Sequence, residues 1–340
     1  MTVTAQVRAT ALLDFPAVAL EAGIDPYAAL REAGIDPASL SRADLTLPTD
    51  RVAWLLDGVA ERTGLADLGI RIAMRRRLAN MGVAGLVLGQ QPTVRDALAM
   101  ADRYSHLLSN ALSLHIEGGD GDVATLVLGV SIAASAPGRQ SRELALAAYV
   151  HLFRLLHGEH WAPLTVHFSH AAPRGATLHQ RFFGCPVQFG STLDGLECPT
   201  ADLDRVNPRA DAALAAYAAS LLDTLPALHG DATTSMVTRL IHALLPMGAA
   251  TIERVAATMG RNVRTLQREL AREGGDFSAL LADARKTLAA ELLRDPTLPL
   301  AAVAERLGYS HPSAFIRFFQ AQFKTTPGHW REEHLRRGTG

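Results

Sequence analysis

Cysteine is nearly absent from this chain of 340 residues: Cys185 and Cys198 are the only two, and they stand outside any CxxC spacing. Two thiols are too few for a disulfide scaffold or a four-ligand structural zinc site, so ordinary reduced cysteines are expected. Long apolar runs are missing as well. No stretch approaches the roughly 18 uninterrupted apolar residues of a membrane span, and the opening MTVTAQVRATALLD lacks the ordered charge, apolar block and small-residue site of a signal peptide. A cytoplasmic protein is expected. Lysine is scarce, since 31 of the 33 cationic residues are arginine and only Lys286 and Lys324 are not. The planar guanidinium suits phosphate and guanine, but an arginine-rich genome leaves the same bias, so position has to decide. A net charge of −1 hides a split: residues 251–340 hold 14 Lys+Arg against 10 Asp+Glu, and residues 1–250 hold 19 against 24.

What is present is apolar material, 48% of the chain, enough to build real cores in two domains or three small ones. Residues 1–225 mix two periodicities. Stretches 51–63, 93–109, 140–157 and 210–224 place apolar residues three or four apart and predict helices. LSLHIE and VATLVLGV, joined by GGDGD, predict a β-hairpin, with LTVHFS and VQF as further short strands. The fold class expected is an α+β N-terminal domain with a small antiparallel sheet, followed by an all-α C-terminal domain. Pro, Gly and small polar residues mark a linker at 226–234 and place the second domain at 235–340.

The second domain contains a repeat. Aligning IERVAATMGRNVRTLQREL with LAAVAERLGYSHPSAFIRFF sets Val255 over Val303, Gly260 over Gly308, Leu266 over Phe315 and Leu270 over Phe319, with one residue added in the second turn. Each unit reads as helix, glycine turn, helix, with Asn262 or Ser310 as the cap of its second helix. The units fall at about 251–273 and 299–323, around an amphipathic helix at about 277–294 that keeps Phe277, Leu281, Ala284, Leu288 and Leu292 on one side. On a helical wheel Val263, Leu266 and Leu270 face a core, while Arg264, Gln267 and Arg268 form an adjacent stripe. Arginine pairs bidentately with guanine and glutamine with adenine, as a helix lying in a major groove requires. In the second unit Phe315, Phe318 and Phe319 form the buried side and leave Ser313, Ile316, Arg317 and Gln320 outside, a less polar reading face. A solvated bundle surface is the alternative for one such unit alone; two in tandem favour DNA.

About 100 residues resemble the C-terminal domain of the AraC-type transcription regulators, whose signature appears here as Arg285, Ala289, Leu292-Leu293 and AAVAERLGYSHPSAFIRFFQAQFKTTPGHWR. The resemblance implies two helix-turn-helix subdomains joined by a linker helix, reading adjacent major-groove segments of double-stranded DNA. By position it carries base-reading roles onto Arg264, Gln267 and Arg268, and onto Pro312, Ser313, Ile316 and Arg317. Pro312 and Ile316 depart from the polar residues often found there. RTGLADLGIRIA, GVAGLVLGQQPTVRDAL and HQRFFGCPVQFGSTLDGLECPTADLD resemble the effector-binding and dimerisation domain of a branch that lacks the sugar-binding cupin barrel. A homodimeric activator is thereby expected, not an enzyme, with no cofactor and with RNA polymerase as a further partner. Abundant alanine and leucine favour an apolar or aromatic effector, such as a fatty acid.

Other constellations point elsewhere. His151, His157, His160, His167, His170 and His179 crowd one segment, and His157 and His160 share a helix face. His167 and His170 face opposite ways on a strand, which argues against a shared metal ion. A metal- or redox-responsive sensor and a helical protein-interaction module stay open as alternatives. GVSIA lacks the helix a nucleophile elbow needs, GGDGD lacks the spaced ligands of a calcium loop, and Arg75-Arg76-Arg77 reads as a solvated or dipole-complementing run.

Overall fold

The computed structural model describes residues 5–42, 45–76, 82–104, 111–117, 121–130, 132, 138–222, 233–259 and 261–337. The chain forms two compact units, the second beginning at Ala232. The expected linker at 226–234 lies, up to residue 232, outside the described residues.

In the first unit, strands β1 (Gln6–Arg8) and β2 (Thr46–Pro48) pair antiparallel. Helices α1 (Phe15–Glu21) and α2 (Pro26–Glu32) lie between them in the chain. Asp25 caps α2 by accepting from Tyr27 N and Ala28 N, and Pro26 supplies a first-turn residue that needs no backbone donor. Helices α3 (Thr49–Thr63), α4 (Leu68–Arg75), α5 (Gly82–Gly89) and α6 (Val94–Arg103) follow. The hairpin consists of β3 (Leu112–Glu117) and β4 (Val123–Val130), with Leu114 opposite Leu128. Residues 118–120 of its GGDGD connection lie outside the described residues.

The 19-residue helix α7 (Arg139–His157) is the spine of the unit. After it come β5 (Thr165–Phe168), α8 (Thr177–Phe183), β6 (Val187–Phe189), β7 (Gly195–Pro199), α9 (Thr200–Asp204) and α10 (Ala212–Leu222). The sheet order is β3-β4-β7-β5-β6. Every pairing is antiparallel except β5 with β6, whose parallel register is reached through the α8 crossover. Leu144, Ala147, Val150 and Phe153 of α7 share one core with Leu126, Leu128, Val166, Phe168 and Leu196 of the sheet. Burying these side chains is the main favourable term holding helix to sheet, at about 25 cal/mol per Å² of apolar surface.

Two expectations are corrected here. The α7 helix closes at His157 and the chain turns away at Gly158, so His160 lies beyond the helix and shares no helix face with His157. The arginine run is a solvated, dipole-complementing face only at Arg75, which stands exposed in the last turn of α4 and pairs with Glu21; Arg76 instead turns inward to donate to the Ala11 carbonyl, its pKa lowered by burial. Arg77 lies outside the described residues.

The second unit is all helix: α11 (Thr233–Leu244), α12 (Ile252–Thr258), α13 (Val263–Arg272), α14 (Phe277–Leu293), α15 (Leu300–Arg306), α16 (Pro312–Phe323) and α17 (Pro327–Arg337). One core gathers Val237, Leu240, Ile241, Val255, Leu266, Leu270 and Phe277. Another gathers Ala289, Leu293, Val303, Leu307, Phe315, Phe319 and Trp330. The helix α14 serves both, its first half through Phe277 and Ala284 and its second through Ala289, Ala290 and Leu293. Glu273, just past α13, accepts from Thr233 N and Thr234 N at 2.7 and 2.8 Å. A carboxylate thus covers the amide end of α11, where the helix dipole favours negative charge.

Candidate DNA interface

The first helix-turn-helix runs through α12 and α13, with Gly260 of the turn outside the described residues. Asn262 caps α13, accepting from Thr265 N at 2.8 Å through its side-chain oxygen. Leu266 and Leu270 are fully buried and fix the helix about its own axis. With that rotation set, Arg264, Gln267 and Arg268 stand exposed together, as the spacing i, i+3, i+4 requires. Val263 is half-buried at the edge of the core. Arg261 precedes the helix and pairs with Glu269 at 2.9 Å, which commits that guanidinium within the protein.

The second helix-turn-helix runs through α15 and α16. Gly308 forms its turn at φ 72°, a left-handed conformation that side chains with a Cβ rarely adopt. The cap of α16 is His311, not Ser310, and no side chain bonds the helix end there. The reason is Pro312: its ring presets the first helical φ and it has no N–H to satisfy, so the helix starts at the proline and the residue before it becomes the cap. His311, Pro312, Ser313, Arg317 and Gln320 are exposed. Ile316 is half-buried and packs against the core, so its apolar surface is divided between protein and solvent. Phe318, expected to be buried, is half-buried beside the Tyr309 ring at 5.7 Å. Phe315 and Phe319 fill the interior, with Phe323 stacked on Phe319 at 4.2 Å and Trp330 edge-on at 6.1 Å.

Sequence reasoning missed the brace between the linker helix and the second turn. Arg285 of α14 donates from Nε to the Leu307 carbonyl at 3.0 Å, and its guanidinium lies over the Tyr309 ring at 4.6 Å. Arg331 of α17 does similar work at the end of α14, donating to the Leu293 and Leu298 carbonyls at 3.2 and 2.7 Å. Both arginines belong to the quoted signature, but nothing in their spacing says which carbonyls they reach.

The histidines of the first unit scatter. His157 Nε2 lies 2.8 Å from the Asp202 carbonyl, and Arg205 donates to its Nδ1. Burial and the Arg205 charge hold its pKa below the usual value. His167 faces Ser191 and Glu197, whereas His170 and His179 approach Glu143. Among the described residues no group of three His, Cys, Asp or Glu side chains is disposed to hold a metal ion. Burial pushes the Cys185 thiol up to about 11 and the Cys198 thiol up to about 12, which leaves neither a ready thiolate. No helix among the described residues is long and apolar enough to cross a membrane.

Residues 23–207 match the family described as the arabinose-binding domain of AraC transcription regulator, N-term, and residues 255–333 match a helix-turn-helix domain family. The chain is 30% identical over 330 residues to the HTH-type transcriptional regulator VirS of Mycobacterium tuberculosis, covering 96% of each chain. It is 26% identical over 280 residues to the ornithine utilization regulator of Pseudomonas aeruginosa, covering 79% of each. It is also 29% identical over 163 residues to the transcriptional activator NphR of Rhodococcus sp, covering 44% of this chain and 48% of that one. A two-part match that reaches from the α2 segment into α17 and a relative aligned almost end to end lead to one conclusion: the chain belongs to the AraC-type transcription regulators and is a DNA-binding regulator with a helix-turn-helix domain.

Proposed function

We propose that the chain is a homodimeric, effector-responsive activator that reads its operator chiefly with α13. Arg264, Gln267 and Arg268 make the base contacts, with Arg268 paired to guanine. The single observation carrying this reading is that these three side chains stand exposed on one stripe of a helix whose rotation is set by the buried Leu266 and Leu270. Pro312, Ser313, Ile316 and Arg317 form the second contact surface. There Arg317 contacts backbone or guanine and Ile316 touches a thymine methyl group, so discrimination is weaker than at α13. The first unit binds a small apolar or aromatic effector, dimerises, and biases recruitment of RNA polymerase. A relative described as a transcriptional activator supports the sign of the response.

The test is operator binding by the full chain, with the DNA upstream of its own reading frame as the first probe. Arg268→Ala should cost about 1 to 3 kcal/mol and loosen preference at one base pair. Unchanged affinity and unchanged preference in that variant would remove the stripe from the interface. Failure of the wild-type chain to form any sequence-specific complex would favour a protein-interaction role for the helical units.

A further inference from the structure

Glu143 on α7 is fully buried, and no hydrogen bond of normal geometry reaches either of its carboxylate oxygens. Its Oε1 lies 3.1 Å from Nε2 of the fully buried His179 and 3.4 Å from Nε2 of His170. The His170 tautomer follows from its other nitrogen. Nδ1 sits 3.0 Å from the Ala171 carbonyl, an acceptor, so Nδ1 carries the hydrogen and Nε2 presents a lone pair. Burial holds the His170 pKa down to about 4, so the ring is neutral near pH 7. The Glu143 carboxyl group and the two rings therefore meet in the interior with no hydrogen bond of normal geometry among them, and the His170 lone pair is left without a donor. Arg139 lies within ion-pair reach, its Nε 3.8 Å from Oε1, but makes no hydrogen bond to the carboxyl group, and its Nη2 donates to the Ala66 carbonyl.

The walls of this place are aromatic. Phe168 stacks on His170 at 5.0 Å between centroids and on Phe189 at 5.9 Å, and His179 meets Phe189 edge-on at 5.6 Å. Phe189, at the edge of the group, is only half-buried. Carboxylate acceptors beside aromatic faces are the chemistry that selects an ammonium, which gains from the ring quadrupoles as well as from the charge. The acceptors number three, Glu143 Oε1, Glu143 Oε2 and His170 Nε2, and a primary ammonium brings three hydrogens. A carboxylate or phosphate would bring further acceptors and no hydrogen, and a hydroxyl would bring a single hydrogen.

We propose that Glu143, His170 and His179 form the anchor of the effector site and that the effector is an apolar molecule ending in a primary amine. This rests on the reading of the first unit as the effector-binding domain. The residues come from α7, from the loop after β5 and from α8, so one ligand head would tie the spine helix to the edge of the sheet.

The experiment is calorimetric titration of the full chain at pH 7 with hexylamine, hexanoate and hexan-1-ol, three probes that share a body and differ in the head. Hexylamine is expected to bind at least tenfold more tightly than the other two and to lose at least tenfold in Glu143→Gln. Equal binding of the three, no binding of hexylamine, or an unchanged Glu143→Gln variant overturns the proposal. A second readout needs no substitution, should that variant not fold: the His170 ring Cε1 resonance of the wild-type chain should shift with hexylamine and stay in place with hexan-1-ol, and identical responses overturn the anchor. Operator binding measured with the same probes separates the two readings. Hexylamine bound at this site with no effect on DNA affinity leaves the anchor standing and removes its role as effector. A response to hexanoate without amine binding removes the anchor and leaves an effector-responsive regulator.

Discussion

Single residues here act through what they would leave unsatisfied. Asn262 provides the side-chain oxygen that accepts from Thr265 N at the start of α13, a place where the first amides have no partner within the helix. Asn262→Ala should destabilise the second unit by about 1 kcal/mol and Asn262→Ser by much less, read from its unfolding transition in urea. A loss in Asn262→Ser as large as in the alanine variant would show that the cap bond is not the source. Asp57, on α3, makes a different case. Burial raises its carboxyl pKa from 3.8 to about 6, against the opposing effects of the Gln140 amide and of Arg139 and Arg142. A folded-state pKa above the unfolded one means the native state holds more protons between those values, so stability falls as pH rises from about 4 to about 6. Asp57→Asn keeps an acceptor for Gln140 N, 3.3 Å from Oδ1, and removes the charge. It should flatten that pH dependence and stabilise the first unit at pH 7 by about 2 kcal/mol, seen as a raised melting temperature at pH 7 and little change at pH 4.

At the scale of elements, the linker helix α14 decides how the two helix-turn-helix subdomains are presented, because each contributes side chains to a core that α14 also lines. Arg285 adds a directional lock at the second turn, with one hydrogen bond to the Leu307 carbonyl and a guanidinium over Tyr309. Removing it should loosen α15 and α16 against α14 without touching α13. Arg285→Ala is expected to weaken binding to a full operator by about tenfold, in line with one charge-assisted hydrogen bond and one cation–π contact, and to leave affinity for the α13 half-site alone unchanged. Anisotropy titrations on the two DNAs settle it, and equal losses on both would mean that Arg285 only stabilises the fold. The helix-turn-helix pattern itself was legible in the chain because helix periodicity, a turn glycine and an i to i+3 cap all operate within a few residues. His311 in place of Ser310 as the second cap was legible too, had the missing N–H of Pro312 been given its full weight. Strand β7 was not legible. GLECP has a glycine, a charge and a proline, and Gly195 is required by its partner strand, where a Cβ would come within 2.2 Å of the Leu126 carbonyl.

For the whole molecule, the uneven charge gives a quantitative expectation. The last 90 residues hold 14 Lys+Arg against 10 Asp+Glu while the remainder is net acidic, so attraction to phosphate is confined to the second unit. Operator affinity should fall on a log–log plot against salt with a slope of about 0.9 per phosphate contact, and replacing one phosphate-contacting arginine should reduce that slope by about one contact. A slope near zero would show that phosphate neutralisation contributes little to the complex. Effector binding in the first unit should be nearly insensitive to salt if its charge partner is the buried Glu143, since screening acts weakly on groups removed from solvent.

The amino-acid sequence by itself determined the tandem helical repeat, the exposed trio on α13 and the hairpin, because each rests on periodicity or on side chains that act on backbone only a few residues away, and it carried the family through the quoted signature. The tertiary structure alone decided which arginines brace the linker helix, why Ile316 is shared between core and solvent, and that Glu143, His170 and His179 converge. Those outcomes depend on packing between segments far apart in the chain: a charge that cannot reach water must find its partners wherever the fold has placed them, and no local pattern encodes that meeting.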